Sequence, residues 1–524
     1  MIGPLSGKGP LYRQVYSAIR EAILSGEMPS GTLLPATREL VQVLHISRTT
    51  ILNAYAELVA EGYATGRVGS GTYVNGHIPQ RILQAPVSRQ RNPSTHPKSE
   101  RNPVSTPTSI STARAKILPR LPFCDFQFDQ LSREDFPFRV WYQLIAKHAP
   151  ADFKQSSAPE GSLTLREAIA AHLVASRGVV CDAQQIIIVN GTQQCLDLAA
   201  RVMLYANDTV AIEEAHYPGA REVFQSAGAR ILPVSLDADG MRVKELADNS
   251  KKAVIRLVYV TPSHQMPTGA TMSVVRRTQL IEWAARNDAY IVEDDYDGEY
   301  RYDGLSLPSL QGLSHGERVI YIGSFSRSIS PTIRIGYLVA PPSLVGKFRD
   351  AKWLADRHSP LLIQEALAEF IGEGHFERYL RRARGRNYRR RAALLDAFAE
   401  HFRDSVEILG GDAGVHVLAR FRDEASLDLS LLISRASAVG VGVYPVTPYF
   451  IRPVRRCELL LGYGALREEQ IKEGIHLLRS VFLDSAMQPP LARIVRGSAR
   501  ATDSVASAVR PHAHLIPGGV IHSL

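Results

Sequence analysis

Residues 47–62, SRTTILNAYAELVAEG, decide what the N-terminal part of the chain is. Ser47 is a strong helix N-cap, because its hydroxyl can accept a backbone N–H one turn in, and Gly62 is a natural terminator. Between them Ile51, Tyr55, Leu58 and Val59 recur at helical spacing and make a core face. The exposed first turn carries Ser47, Arg48, Thr49 and Thr50. Short polar side chains and a guanidinium are what reach base edges and phosphates when a helix lies in the major groove. Asn53, further along the exposed side, is either another such contact or a solvated polar position.

Upstream, LYRQVYSAIREAILS (11–25) places Leu11, Val15, Ile19, Ala22 and Ile23 on one helical stripe that Gly26 ends. A second short helix, ATRELVQVL, follows Pro35 with Leu40, Val41 and Leu44 inward, and His45-Ile46 forms the turn into the third. Downstream, YATGRVGSGTYV gives two β-type runs, Tyr63–Thr65 and Thr72–Val74, around a glycine-rich turn bearing Arg67. Three helices and a hairpin read as a winged helix-turn-helix. On spacing alone, a helical bundle that binds protein remains the alternative.

The whole chain of 524 residues is too long for one core and implies two or more domains. Four compositional segments are expected: a DNA-binding head over 8–76, a linker over 77–122, an α/β body over 123–484 and a tail over 485–524. The linker is rich in Pro, Ser, Thr and Arg and the tail is poor in hydrophobic order, so neither can bury enough surface to fold. The net charge of +9 suits a polyanion, though much of it falls in those two segments. Cys124, Cys181, Cys195 and Cys457 are isolated, which argues against a metal site or a disulfide framework and suits a reducing cytosol. No run approaches the roughly 20 apolar residues of a membrane helix, and the start lacks a secretory apolar stretch.

The body alternates strand-like and helical runs, the pattern of a mostly parallel sheet. DTVAIEE leads into AHYPG, AVIRLVYV into TPSHQMPTG, AYIVE into DDYDGEYRY, and RVIYIG into SFSRSISPTIRIGY. Ligands in such sheets bind outside the carboxyl ends of the strands, where these polar loops converge. In IIIVNGTQQCLDLAARVML, Gly191-Thr192 opens an amphipathic helix, a natural phosphate cradle, although each such junction alone is more often only a turn.

Taken together, LPATREL, SRTTI, AYAELVAEGY and GSGTYV resemble the GntR superfamily of regulators over residues 10–75. That likeness implies that Arg38, Arg48, Thr50 and Gly71 sit at the DNA surface beside Ser47, Thr49, Asn53 and Arg67. Ala36 stands where the family usually has a capping Ser, so the second helix is expected to begin at Thr37 or to be slightly weaker. The order of the body's loops, with GSLTLREAIAAHLVASRGVVC, resembles the fold-type I aminotransferases over about 125–480, and the MocR subfamily that fuses them to a GntR-type head. The implied fold is a large parallel-sheet subdomain plus a small C-terminal α+β subdomain. The implied cofactor is pyridoxal or pyridoxamine phosphate: Gly191, Thr192 and Gln193 at the phosphate, Tyr217 stacked on the ring, His264 near its edge, Asp294 at the pyridinium nitrogen, Tyr296 at the ring hydroxyl, and Ser324, Ser326 and Arg334 completing the phosphate site.

One residue departs from that pattern. The family motif G(S/T)FSK ends in the lysine that bonds to the cofactor aldehyde; here GSFSR puts Arg327 in its place, with Arg334-Ile335-Gly336-Tyr337 intact downstream. Arginine stays protonated and can neither form that bond nor shuttle the proton of transamination. Lys347, the nearest downstream lysine, is a poor replacement. A second, looser departure is CELLLGYG where aminotransferases place an arginine for the substrate carboxylate; Arg452, Arg455 and Arg456 are near in sequence but not there.

The expected function is therefore a bacterial, cytoplasmic, DNA-binding transcription regulator, homodimeric, with no catalytic residues and no metal. Three states of its pocket stay open: a non-covalent pyridoxal or pyridoxamine phosphate, a different anionic or amino-acid effector held by Arg327 and Arg334, or an empty dimerisation scaffold. The alternatives are a working pyridoxal-phosphate aminotransferase with an accessory head, which needs the missing lysine, and a protein-binding scaffold, which conflicts with the DNA-facing residues.

Overall fold

The computed structural model describes residues 9–67, 70–75, 122–128, 130–132, 136–152, 158–302, 307–422, 427–452 and 456–486. The expected linker (apart from Pro122), the expected tail (apart from residues 485 and 486) and Arg455 lie outside them. The chain divides into two compact units, Met1–Asn102 and Pro103–Leu524.

The first unit has helices α1 (Leu11–Ser25), α2 (Thr37–Leu44) and α3 (Arg48–Ala60), then antiparallel strands β1 (Ala64–Arg67) and β2 (Gly71–Val74). Its core gathers Val15, Ile19 and Ile23 of α1, Leu40 of α2 and Ile51, Ala54, Tyr55 and Leu58 of α3. Two expected core positions are instead on the surface: Leu11 is 49% exposed and Val59 is 42% exposed. Leu11 sits in the first turn of α1, and the buried stripe of α3 runs through Ile51, Ala54, Tyr55 and Leu58, which leaves Val59 on its flank. As the missing Ser foreshadows, α2 begins at Thr37, and Ala36 caps it without a side-chain hydrogen bond. The strands are shifted slightly from the expected runs, with Arg67 opposite Gly71 at the hairpin.

In the second unit, a seven-stranded sheet contains β3 (Ile186–Val189), β4 (Thr209–Glu213), β5 (Arg230–Val234), β6 (Ile255–Val260), β7 (Tyr290–Asp294), β8 (Val319–Ser324) and β9 (Gly336–Val339), in spatial order β3-β9-β8-β7-β6-β4-β5. All neighbouring pairs are parallel except those of β9, which runs antiparallel to both β8 and β3. Strands such as IIIV and VIYIGS are buried throughout, as a sheet covered on both faces requires. Helix α4 (Leu163–Arg177) precedes β3, and α5 (Thr192–Met203) follows it. A long helix α6 (His375–His401) leads to a four-stranded antiparallel sheet of β10 (Val406–Leu409), β11 (His416–Phe421), β12 (Tyr444–Pro445) and β13 (Glu458–Gly462), which shares a core with α6 and α7 (Glu468–Ala486). This is a fold-type I architecture with a large α/β part and a small α+β part. Among the described residues, no helix is long and apolar enough to cross a membrane.

Candidate functional site

In the head, Ser47 caps α3: the Thr50 N–H donates to its Oγ at 3.2 Å, and the two hydroxyls lie 2.7 Å apart. These two groups are thereby committed to the cap, and Thr50 is half-buried. Arg48, Thr49 and Asn53 remain exposed on α3, as does Arg38 on α2. Arg67 is exposed on the wing, its guanidinium 4.9 Å from the centre of the Tyr73 ring. Gly71 has a shaping role. Its φ is +108° and an added Cβ would lie 2.7 Å from Leu33 Cδ1, so glycine lets the wing fold against residue 33.

In the body, a cavity of about 210 Å³ opens at the carboxyl ends of β6, β7 and β8. Nine of the expected site residues line it: Thr192, Gln193, Tyr217, Asp294, Tyr296, Ser324, Ser326, Arg327 and Arg334. Its base is electrostatically unusual. Asp294 ends β7, is almost fully buried, and accepts a hydrogen bond from Tyr259 Oη on Oδ2 at 2.8 Å, while Oδ1 has no partner. Burial is the main force pushing this carboxyl up to about 7; Asp295 and Asp297 add to it, and Tyr259 and Arg327 oppose it. A buried acceptor without a donor is costly, so this oxygen is poised for a cationic N–H.

The opposite pole is built for an anion. Gly191 caps α5 at φ +105°, with the Arg334 guanidinium 3.5 Å from where its Cβ would be. Arg334 Nη2 donates to the Asn190 carbonyl, which holds the guanidinium beside the free N–H groups of α5. Gln193 Nε2 donates to the Gly219 carbonyl at 3.2 Å and its Oε1 accepts from Tyr217 Oη at 3.3 Å, which fixes the tyrosine. Ser324 Oγ donates to Ser326 Oγ at 3.0 Å. An orphaned carboxylate oxygen at one end and a guanidinium with a helix N-terminus at the other fit a pyridine phosphate.

Arg327 stands in the wall between these poles. Its Nη1 donates to the Phe128 carbonyl at 3.1 Å and its guanidinium lies 4.0 Å from the Phe128 ring centre. None of the lining residues is a lysine. Lys347 is exposed on the helix Val345–Asp356, and Lys352 of that helix is buried against Asp356 and Ser359.

His264 is placed differently from the expectation. It lies behind Tyr296, outside the cavity lining, with Nδ1 2.8 Å from Asp297 Oδ2 and Nε2 3.3 Å from the Gly410 carbonyl. It meets the cavity lining through Tyr296, whose Oη lies 3.3 Å from His264 Nδ1. The sequence reading named no metal ligand, yet His264, Asp297 and His416 bring one nitrogen or oxygen each within 4.8 Å of one another. Arg452 pairs with Glu214 at 3.5 Å and Arg456 with Glu458 at 3.4 Å; neither lines the cavity.

Sequence reasoning missed Phe128, Tyr259, Met266 and Pro331 in the lining. Tyr259 is the penultimate residue of one of the quoted strand runs, close to the carboxyl end where ligands bind, and that position was the signal that could have found it. Phe128 arrives from a segment far upstream with no motif to announce it.

The elevated Asp294 carboxyl makes a stability prediction. A group raised from 3.8 to about 7 in the folded state favours folding at low pH and penalises it as pH climbs through that interval. Asp294→Asn is expected to raise the melting temperature relative to the native chain at pH 8, by an amount worth a few kcal/mol. The gain should shrink at pH 5 and be absent near pH 3.5. A pH-independent difference in thermal melts would refute the buried-carboxylate account.

Comparison with known proteins gives two family matches: Aminotransferase class I and II over residues 121–453, and Bacterial regulatory proteins, gntR family, over 11–74. The probable rhizopine catabolism regulatory protein MocR of Rhizobium meliloti is 36% identical over 92% of this chain and 96% of its own. The HTH-type pyridoxine biosynthesis transcriptional regulator PdxR of Corynebacterium glutamicum is 29% identical over 88% of this chain and 93% of its own. Among solved structures, the multiple substrate aminotransferase of Thermococcus profundus superimposes with a TM-score of 0.67 at 27% identity, covering 73% of this chain and 97% of its own.

Proposed function

The chain belongs to the MocR-type regulators, in which a gntR-family head is joined to an aminotransferase class I and II body, and from that membership we propose that it is a sequence-specific DNA-binding regulator whose body has given up amino-group transfer and serves to dimerise and to bind a small molecule. The observation that carries the second half is Arg327: a permanently charged guanidinium lines the cavity, and no lysine does.

In this reading the head reads DNA through Arg38, Ser47, Arg48, Thr49, Thr50, Asn53, Arg67 and Gly71. Arg48, Thr49 and Asn53 supply exposed contacts, Ser47 and Thr50 hold the first turn of α3 in shape, and Gly71 shapes the wing that carries Arg67. A linker over 77–122 separates this head from the body at 123–484, with a tail over 485–524.

The pocket fits pyridoxal or pyridoxamine phosphate held without a covalent bond. Gly191, Thr192, Gln193, Ser324, Ser326 and Arg334 would take the phosphate, Tyr217 would cover the ring, Tyr296 would meet its hydroxyl, and Asp294 would hold the proton on the pyridine nitrogen. When bound in an enzyme, that cofactor supplies an electrophilic aldehyde and an electron-withdrawing ring. Here Arg327 cannot attack the aldehyde or carry a proton away from a substrate carbon, so the bound molecule acts as a signal. It would alter DNA binding only by favouring one arrangement of the heads over another.

Dimerisation follows the habit of the fold, and two heads would read two half-sites. Sedimentation at micromolar concentration is expected to give twice the chain mass; a monomer at that concentration would overturn the dimer. Adding pyridoxal phosphate and an amino acid to the purified chain is expected to give no keto acid, and sustained turnover would restore the enzyme reading.

A further inference from the structure

Charges around the body cavity do not balance. Arg327 and Arg334 both line it, and the N-terminus of α5 adds partial positive charge beside Arg334. Asp294 is the sole carboxylate among the lining residues, and its elevated carboxyl is only partly ionised at neutral pH. Arg334 already belongs to the anion pole through Asn190 and Gly191. Arg327 has a carbonyl and an aromatic face for company, and no carboxylate within ion-pair distance among the described residues. A guanidinium carries five N–H donors, of which the Phe128 carbonyl takes one. Among the described residues, no further acceptor answers its remaining donors and its charge.

We propose that Arg327 selects the ligand's second polar group: the molecule bound here is a phosphorylated pyridine carrying a carboxylate, or another oxygen acceptor, at the ring carbon that enzymes of this fold present to their lysine, and ligands with an ammonium there are rejected. This rests on the pyridine-phosphate reading of the pocket and narrows it, because it removes pyridoxamine phosphate from the two cofactor forms considered above.

The physics is a matter of sign. A carboxylate facing Arg327 makes charge-assisted hydrogen bonds in a half-buried site, where they are roughly twice as strong as neutral ones. An aminomethyl group is protonated at neutral pH and sets cation against cation, with Phe128 preventing the guanidinium from turning away without losing its ring and carbonyl contacts. A hydroxymethyl group accepts one hydrogen bond and falls between. Among pyridoxal-related phosphates, the oxidised acid is therefore favoured and the amine disfavoured, the reverse of what a transaminating site needs.

The test uses the full-length chain and three probes that differ only at this carbon: 4-pyridoxic acid 5'-phosphate, pyridoxine 5'-phosphate and pyridoxamine 5'-phosphate, each titrated by calorimetry at pH 7.5. Affinity is expected to fall in that order, with the acid at least about tenfold tighter than the amine. In Arg327→Gln the three affinities should converge. Equal or tighter binding of the amine by the native chain overturns the inference whatever the variant does, and so does an unchanged order in Arg327→Gln. If pyridoxine phosphate binds but the order is absent, only the selection by Arg327 fails. If none of the three binds, the pyridine-phosphate reading of the pocket fails with it.

Discussion

Arg327→Lys is expected to restore covalent chemistry to this protein: adding pyridoxal phosphate should produce a new visible absorption band that borohydride reduction fixes to the chain, where the native protein gives none. The contrast is all-or-none because it depends on which nitrogen is available. A guanidinium keeps its proton and presents no free amine, whereas a lysine near Arg334 and within a partly buried wall loses its proton more readily. The surrounding pocket supports the result. Asp294 keeps an unpartnered oxygen, Tyr217 is held by Gln193, and Arg334 is fixed at the mouth of α5. Lysine would give up the Phe128 ring and carbonyl contacts that Arg327 makes, at a modest cost in stability. A band in the native chain, or none in the variant despite bound cofactor, would show that residue 327 is not the reason for lost catalysis.

The second large effect is expected in the head. Arg48→Ala should weaken binding to a specific duplex by about 10–100-fold and relax discrimination at one base position, because a bidentate arginine–base contact is worth on the order of 1–3 kcal/mol. Arg67→Ala should act otherwise. A wing residue at the phosphate backbone should weaken all duplexes alike and reduce the slope of log affinity against log salt by about one. Both residues are exposed and support no core, so each variant should melt like the native chain. If Arg48→Ala binds its best duplex undiminished, α3 does not enter the groove as described.

Much of this was legible in residue order. Ser47, His45 and Gly62 punctuate α3, and the buried runs IIIV, TVAIE and VIYIGS announce a covered parallel sheet because local capping and burial agree with the tertiary arrangement there. The reversed direction of β9 was not legible, since strand polarity is set by the path of the connecting loop, and GYLV reads the same either way. Nine expected pocket residues share one cavity because their motifs sit at strand ends and a helix start, positions that topology brings together. The place of His264 was not legible because its neighbour in space, Asp297, lies 33 residues away in sequence. Phe128 escaped for a similar reason: its meeting with Arg327 spans 199 residues, and no local pattern encodes such a contact. Val59 shows the limit of periodicity, since the buried stripe is centred on Ile51 and Leu58 and is flanked by Ala54 and Tyr55, which puts Val59 beyond its edge.

The most direct test is to incubate the full-length chain with fragmented genomic DNA from its source organism and sequence what it retains. Strong enrichment of a few sites, each holding two copies of a short half-site, is the predicted result. Recovery in proportion to input, with no shared sequence among retained fragments, would contradict the regulator at its root.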